Sequence, residues 1–339
     1  MKHVFIINSH TTYLTSIGVI DLLNFSKDEV LLVLVRNYKN DLMRDYKRID
    51  ASNLSLETEK VFDKKYNCFF IKHIVNQVDS FISNVIDGDF HLYAPHLSHP
   101  FWQIAYTSNL CLGFSYIQEG CLPFKTAYVN KAPLLAHLKN IYMKYISKGR
   151  VWCYRPWFLR EEIIDIEKIN SYSIDNKFFK YLPVQNIIVK WPVPLAIPNC
   201  CFKDNHKIFI FDAFVKNHVM ELKDYLSQCE KLIDKEAAQN NYLKFHPGQS
   251  SEERNQIIRY FENKRLSFEI LDNNIPFEYI IMTQRSLSLT GYGSSLLFLA
   301  YRYHHNVTCY DDELLVYPLY QAYKKNNGFM SFKEYIQNK

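Results

Sequence analysis

Tyr242-Leu243-Lys244-Phe245-His246-Pro247 is the stretch on which the fold of this chain turns. An apolar run carries a lysine and a histidine to its end, and proline then stops it, because proline has no N–H to give a sheet ladder. The pattern predicts a buried strand that delivers Lys244 and His246 to its carboxyl end, the edge at which α/β proteins hold their ligands. Gly248-Gln249-Ser250 follows, with Glu252 and Glu253 just beyond, as expected where a helix opens.

Downstream, a second strand-like run at 279–282 leads to Gly291-Tyr292-Gly293-Ser294-Ser295 and then to an apolar helical pattern at 294–303. A serine at a helix start is commonly no more than an N-cap. Here glycines on either side of Tyr292 also allow close backbone approach. Two hydroxyls beside free N–H groups at a helix start suit a phosphate. With strands expected at 207–213, 242–245, 266–271 and 307–310 and helices near 217–234 and 251–264, the second half alternates strand and helix. The first half does the same. Strands are expected at 4–7, 30–36, 68–72, 90–93 and 112–117, and helical patterns up to residue 23, at 76–86 and at 102–108. Such alternation implies βαβ units and a mostly parallel sheet. The strand at 112–117 ends in Gln118-Glu119-Gly120, which places a carboxylate in a loop at a sheet edge, where a general base could sit. Asn8, Ser9 and His10 end the first strand, and His96 and His99 follow the strand at 90–93; these five are candidates for the acceptor side.

Trp191-Pro192, Pro194 and Pro198 break the pattern. The expected division is a first Rossmann-like domain at 1–185, a linker at 186–206, a second at 207–312, and a helical tail at 313–339 that returns to the first half. Residues 139–157 are basic and aromatic (Lys139, Lys144, Lys148, Arg150, Trp152, Tyr154, Arg155, Trp157), a surface suited to anionic lipid headgroups or simply to solvent. Asp311-Asp312-Glu313 reads as a solvated turn rather than a metal cluster.

The 339 residues suffice for two cores, and 48% hydrophobic with 22% charged content is that of a globular protein. A net charge of +5 fits an anionic nucleotide sugar or membrane surface; no nucleic-acid-binding motif accompanies it. Eight cysteines without metal-ligand spacing read as reduced thiols and hence a cytoplasmic setting. The N-terminus reads as a strand rather than a signal peptide, and no apolar run reaches the roughly eighteen residues of a membrane span.

In order and placement, Gln118-Glu119-Gly120, Lys244-Phe245-His246-Pro247 and Ser294-Ser295 resemble three short motifs of bacterial GT-B sialyltransferases. These include the lipooligosaccharide sialyltransferases of glycosyltransferase family 52 and the capsular polysialyltransferases. Their motifs are an acidic pair before glycine, His-Pro with a lysine two residues earlier, and a serine pair. The resemblance implies the GT-B fold, two Rossmann-like domains facing each other across a cleft. It also implies transfer of sialic acid from CMP-sialic acid, with inversion and without metal, to a bacterial surface glycan (lipooligosaccharide, O-antigen or capsule). Glu119 would be the base, and His246 would engage the phosphate and assist its departure. Lys244, Pro247, Gly293, Ser294 and Ser295 would hold CMP. Gln118 departs from the pattern, standing where the family usually has the first acid of the pair. The acceptor would be lipid-linked, with the protein peripheral on the inner face of the inner membrane. Two alternatives remain: another CMP-nonulosonic acid as donor (pseudaminic or legionaminic), or a non-catalytic partner in surface-polysaccharide assembly.

Overall fold

Short runs of β-branched and aromatic residues form two all-parallel sheets in a computed structural model that describes residues 1–62, 68–121, 134–152, 169–176, 178–179, 184–193, 202–327 and 329–337. The chain falls into two compact units, one formed largely within residues 1–192 and the other within 193–339.

The first unit is built on seven strands: β1 (Lys2–Ile7), β2 (Val30–Leu34), β3 (Lys47–Asp50), β4 (Phe90–Ala94), β5 (Cys111–Ile117), β6 (Asn170–Ser173) and β7 (Gln185–Ile188). Their order is β3-β2-β1-β4-β5-β6-β7. Every pairing is parallel. The central strands are apolar because helices cover both faces; Phe5, Ile7, Leu32, Phe90 and Leu92 have no exposed surface. The covering helices are α1 (His10–Leu23), α2 (Ser52–Glu59), α3 (Cys68–Val85), α4 (Pro100–Tyr106) and α5 (Leu134–Ile146). Ser9 starts α1 through a capping box with Thr12, and Asn24 ends it in the left-handed conformation.

The second unit has five strands: β8 (His206–Phe211), β9 (Asn240–Phe245), β10 (Phe268–Ile270), β11 (Ser288–Gly291) and β12 (Asn306–Cys309). They run in the order β10-β9-β8-β11-β12, again all parallel. Among the described residues six α-helices accompany them: α6 (Leu222–Glu236), α7 (Ser251–Asn263), α8 (Phe277–Thr283), α9 (Ser295–Arg302), α10 (Pro318–Asn327) and α11 (Phe332–Gln337). In both units the first strand has its successor on one side and a later strand on the other. This topological reversal lies between β1 and β4, and between β8 and β11, the kind of position at whose carboxyl edge open α/β sheets hold ligands.

Several expectations are corrected. Residues 68–72 are the first turns of α3, not a strand; Ile71, Ile74, Val75, Val78 and Ile82 are buried at helical spacing, so the run belongs to one helix face. The run at 279–282 is α8, and the strand that leads into the Gly291 loop is β11 instead. α8 buries residues on every side, so no polar face marked it as a helix. The first unit extends to Pro192, and β7 occupies the start of the stretch expected as linker. The tail packs within the second unit, as Tyr320 meets Phe214 and Phe332 meets Phe298. Cys68, Cys111, Cys121, Cys229 and Cys309 are free thiols; Cys153, Cys200 and Cys201 lie outside the described residues. Among the described residues no helix is long and apolar enough to cross a membrane.

Candidate functional site

Four neighbouring strands of the first unit, in the order β2-β1-β4-β5, are followed within two residues by Arg36, Asn8, His96 and Glu119. Their side chains meet on the glutamate. Asn8 Nδ2 donates to Glu119 Oε1 at 2.6 Å, Arg36 lies 3.2 Å from the same oxygen, and His96 Nε2 is 3.2 Å from Oε2. The Ser9 hydroxyl donates to the Glu119 carbonyl at 3.1 Å, tying the start of α1 to this loop. The Glu119 side chain keeps 23% of its exposure. Burial pushes its carboxyl up, but His96, Arg36 and Asn8 outweigh that and hold it at about 2. The carboxylate is therefore ionised and fixed in direction. The bonds of Gln118 account for the missing first acid. Its amide accepts from the Ile174 N–H (2.9 Å) and donates to the Gly120 carbonyl (2.7 Å), and an ionised carboxylate could not make the second bond.

Two expected acceptor-side histidines have local roles. His99 caps α4 by accepting from the Phe101 N–H and pairs with Glu59 at 3.0 Å. Its burial lowers its pKa against the pull of Glu59. His10 bonds the Tyr38 hydroxyl at 3.0 Å.

The reversal between β8 and β11 holds a cavity of about 170 Å³ in the second unit. His246, Gly293, Ser294 and Ser295 line it, so two of the three sequence motifs converge there. The imidazole is oriented from below: the Gly248 N–H donates to Nδ1 at 2.9 Å, which leaves Nε2 as the donor of the neutral ring. A side chain at 248 would lie 3.0 Å from Nδ1, hence the glycine. Loss of hydration and the nearby Lys216, Lys244 and Arg254 push His246 down to about 4. Arg254 also donates to the carbonyls of His246 and Pro247, bracing the turn. Ser294 occupies the N-cap position of α9, yet its hydroxyl does not cap the helix; it bonds Asp212 instead. Gly293 has φ +141°, a conformation natural to glycine alone.

Lys244 does not line this cavity. Its ammonium donates to Asn273 Oδ1 at 2.6 Å and to the Asp272 carbonyl at 3.3 Å, and burial lowers it to about 8. Three charged residues in the lining were not expected there: Asp212 after β8, Asp311 after β12, and Lys324 on α10. Asp311 is buried rather than solvated; it pairs with Lys324 at 2.6 Å and accepts from the Phe332 N–H. A strand-end position following an apolar run was the available signal for Asp212. Lys324 carried none, since only packing of the tail brings it here.

Two parallel-sheet Rossmann-like units, each with its polar residues at the carboxyl edge of a reversal, define the GT-B class. The sequence profile of the alpha-2,8-polysialyltransferase (POLYST) family matches residues 114–311, more than half of the chain, and the protein belongs to that family. No curated protein sequence matches it. Among solved structures, a Listeria monocytogenes protein assigned as a UDP-N-acetylglucosamine 2-epimerase superimposes with TM-score 0.50 at 9% identity, covering 91% of this chain and 78% of that one. This likeness concerns the fold alone. E. coli ADP-heptose lipopolysaccharide heptosyltransferase II (TM-score 0.42, 8% identity, 91% and 83% covered) overlaps too loosely to weigh.

Proposed function

We propose that this protein is an inverting, metal-independent sialyltransferase that moves sialic acid from CMP-sialic acid to a hydroxyl of a bacterial surface glycan. Family membership supports glycosyl transfer of the sialyl type. The observation that carries the donor assignment is the cavity joining His246 to Ser294 and Ser295, with the Ser294 hydroxyl turned away from helix capping. Ser295 and the opening N–H groups of α9 offer donors to a phosphate, and His246 offers Nε2–H. Glu119 is the base in this reading. A carboxylate held near pKa 2 is weakly basic toward a resting alcohol. It serves a transition state in which the donor carbon is already cationic and the attacking hydroxyl has become acidic.

Incubation with CMP-sialic acid, or with CMP-pseudaminic or CMP-legionaminic acid, and acceptor glycans, followed by mass analysis, tests donor and class together. Glu119→Gln and His246→Ala should each lower transfer by about 100-fold or more while leaving the protein folded. Full activity in either variant removes that residue from its role. A wild type that fails to bind CMP moves the reading to a non-catalytic partner in polysaccharide assembly.

A lipid-linked acceptor, met by the protein at the inner face of the cytoplasmic membrane, is the second part of this proposal. Its support is α5 and the turn beyond it, where Ile141 (65% exposed) and Tyr145 (84%) accompany Lys139, Lys144 and Lys148, with no acidic residue from 134 to 152. Tyr154, Arg155 and Trp157, counted in the same surface, lie outside the described residues.

A further inference from the structure

The second unit's cavity carries a cation for which the donor reading has given no task. Lys324 lines it from α10, and its ammonium lies 2.6 Å from Asp311 Oδ2 and 5.8 Å from the centre of the Tyr320 ring. Both neighbours line the same cavity, so the ammonium is fixed in its wall. That wall stands beside the serine pair. A side chain at Gly293 would meet the Tyr320 hydroxyl at 3.2 Å and Asp311 Cβ at 3.4 Å. The lysine side chain keeps 13% of its exposure and the aspartate 4%. A pair drawn this far from water adds little stability that apolar residues could not, because desolvation offsets most of the attraction. Tyr323, Phe329 and Met330 already build the same wall. A cation kept among them suits a ligand's anion better than it suits the fold.

The pair also leaves donors over. An ammonium has three N–H bonds, and Asp311 Oδ2 is the one hydrogen-bond partner of Lys324 among the described residues. Asp311 does not depend on Lys324 alone, since the same oxygen accepts from the Phe332 N–H at 3.1 Å. Lys324 can therefore turn an N–H to a ligand without giving up the aspartate. Among the described residues no other lysine or arginine lines the cavity.

We infer that Lys324 is a specificity-determining residue that binds the carboxylate of the donor sugar. The inference rests on the donor reading above. In a CMP-nonulosonic acid the carboxylate hangs from the same carbon as the phosphate ester. A phosphate held by His246, Ser295 and the opening N–H groups of α9 brings that carboxylate close by, and Lys324 is the neighbouring cation. Sugar nucleotides built on aldoses carry hydrogen in place of the carboxylate and gain nothing from Lys324. Sialic, pseudaminic and legionaminic acids all carry it, so Lys324 selects the class of donor and not its member.

Calorimetry on the full chain, without acceptor, compares CMP, which lacks the carboxylate, with CMP-sialic acid. CMP-pseudaminic or CMP-legionaminic acid takes the place of CMP-sialic acid if that is the donor the wild type binds. Lys324→Gln should weaken the CMP-sugar about 10-fold or more, the scale of a hydrogen bond to a charged group, and leave CMP within about 2-fold. The methyl ester of the CMP-sugar, whose carboxyl carries no charge, should bind wild type and variant alike. Should Lys324→Gln fail to fold because Asp311 has lost its counter-ion, Lys324→Gln combined with Asp311→Asn removes both charges and should show the same difference between the ligands. Equal weakening of CMP and the CMP-sugar would assign Lys324 to the nucleotide and overturn the inference. Unchanged binding of the CMP-sugar, or a loss that persists with the methyl ester, overturns it too, and each of these results leaves the donor reading standing. Wild type that binds neither CMP nor any of the three CMP-sugars removes the donor reading and this inference together.

Discussion

Arg36 reaches Glu119 from the loop after β2, and its side chain is half exposed, so it can be removed with little loss of packing. It contributes to holding the Glu119 carboxyl near 2. A base must be ionised to act, so activity falls as pH drops through its pKa. Removing a cation that favours the ionised form raises that pKa. Arg36→Ala should therefore move the acid limb of the pH–kcat/KM profile upward, toward the ordinary carboxylate range. An unmoved limb would mean that Glu119 is not the titrating group. At this scale the sequence showed the residues that sit inside recognisable strings: Glu119 before glycine, His246 before proline, and the serine pair. It did not show Arg36 or Asp212. Both fall within the expected strands at 30–36 and 207–213 and belong to no motif; they stand out only when the strands end at Leu34 and Phe211 and the sheet order sets them beside Glu119 and Ser294. Lys244 shows the opposite error. Two residues from His246 it should share a strand face, but at the strand end its long chain turns to Asn273.

Strands and helices were legible where burial was one-sided or complete over a strand's length. Val30–Leu34 and Asn240–Phe245 announced themselves by apolar content, and α7 by the Ser250–Glu253 capping box. Lys47–Asp50 was missed because it is an edge strand with charged, exposed side chains. α8 was misread because a helix buried on all sides has no period to see. The glycines separate element from loop in a measurable way. A Cβ at Gly291 would stand 2.7 Å from the Ile210 carbonyl oxygen of the neighbouring strand, whereas one at Gly120 meets nothing within 4 Å. Gly291→Ala should destabilise the protein by about 1–3 kcal/mol through overpacking. Gly120→Ala should stay within about 0.5 kcal/mol of wild type. Chemical denaturation of the two variants compares them directly, and equal stabilities would refute the close approach of β8 and β11.

Each unit carries its own parallel sheet and its own buried core, the first around Trp102, Phe101 and Phe90, the second around Phe209, Phe261 and Tyr225. The two parallel sheets were legible because the sequence holds two series of alternating strand and helix patterns. The tail's place was not, because a helix of mixed tyrosine and lysine does not specify which core it caps; Tyr320 against Phe214 and the Lys324–Asp311 pair decide it. If the cavity at the β8–β11 reversal is the donor site, its ligand acts as a local stabiliser. A ligand at 100 times its Kd adds about 2.7 kcal/mol to the structure it binds, a factor of about 100 in the opening equilibrium. Hydrogen exchange with and without CMP should therefore show its strongest slowing in Asn240–Phe245, Ser288–Gly291 and Ser295–Arg302. Amides of Phe332–Gln337 should follow them, since α11 packs on α9 through Phe332 and Tyr335 against Phe298. Protection centred on Lys2–Ile7 and Cys111–Ile117 would instead assign CMP to the unit that carries Glu119, and the roles of the two units would have to be exchanged.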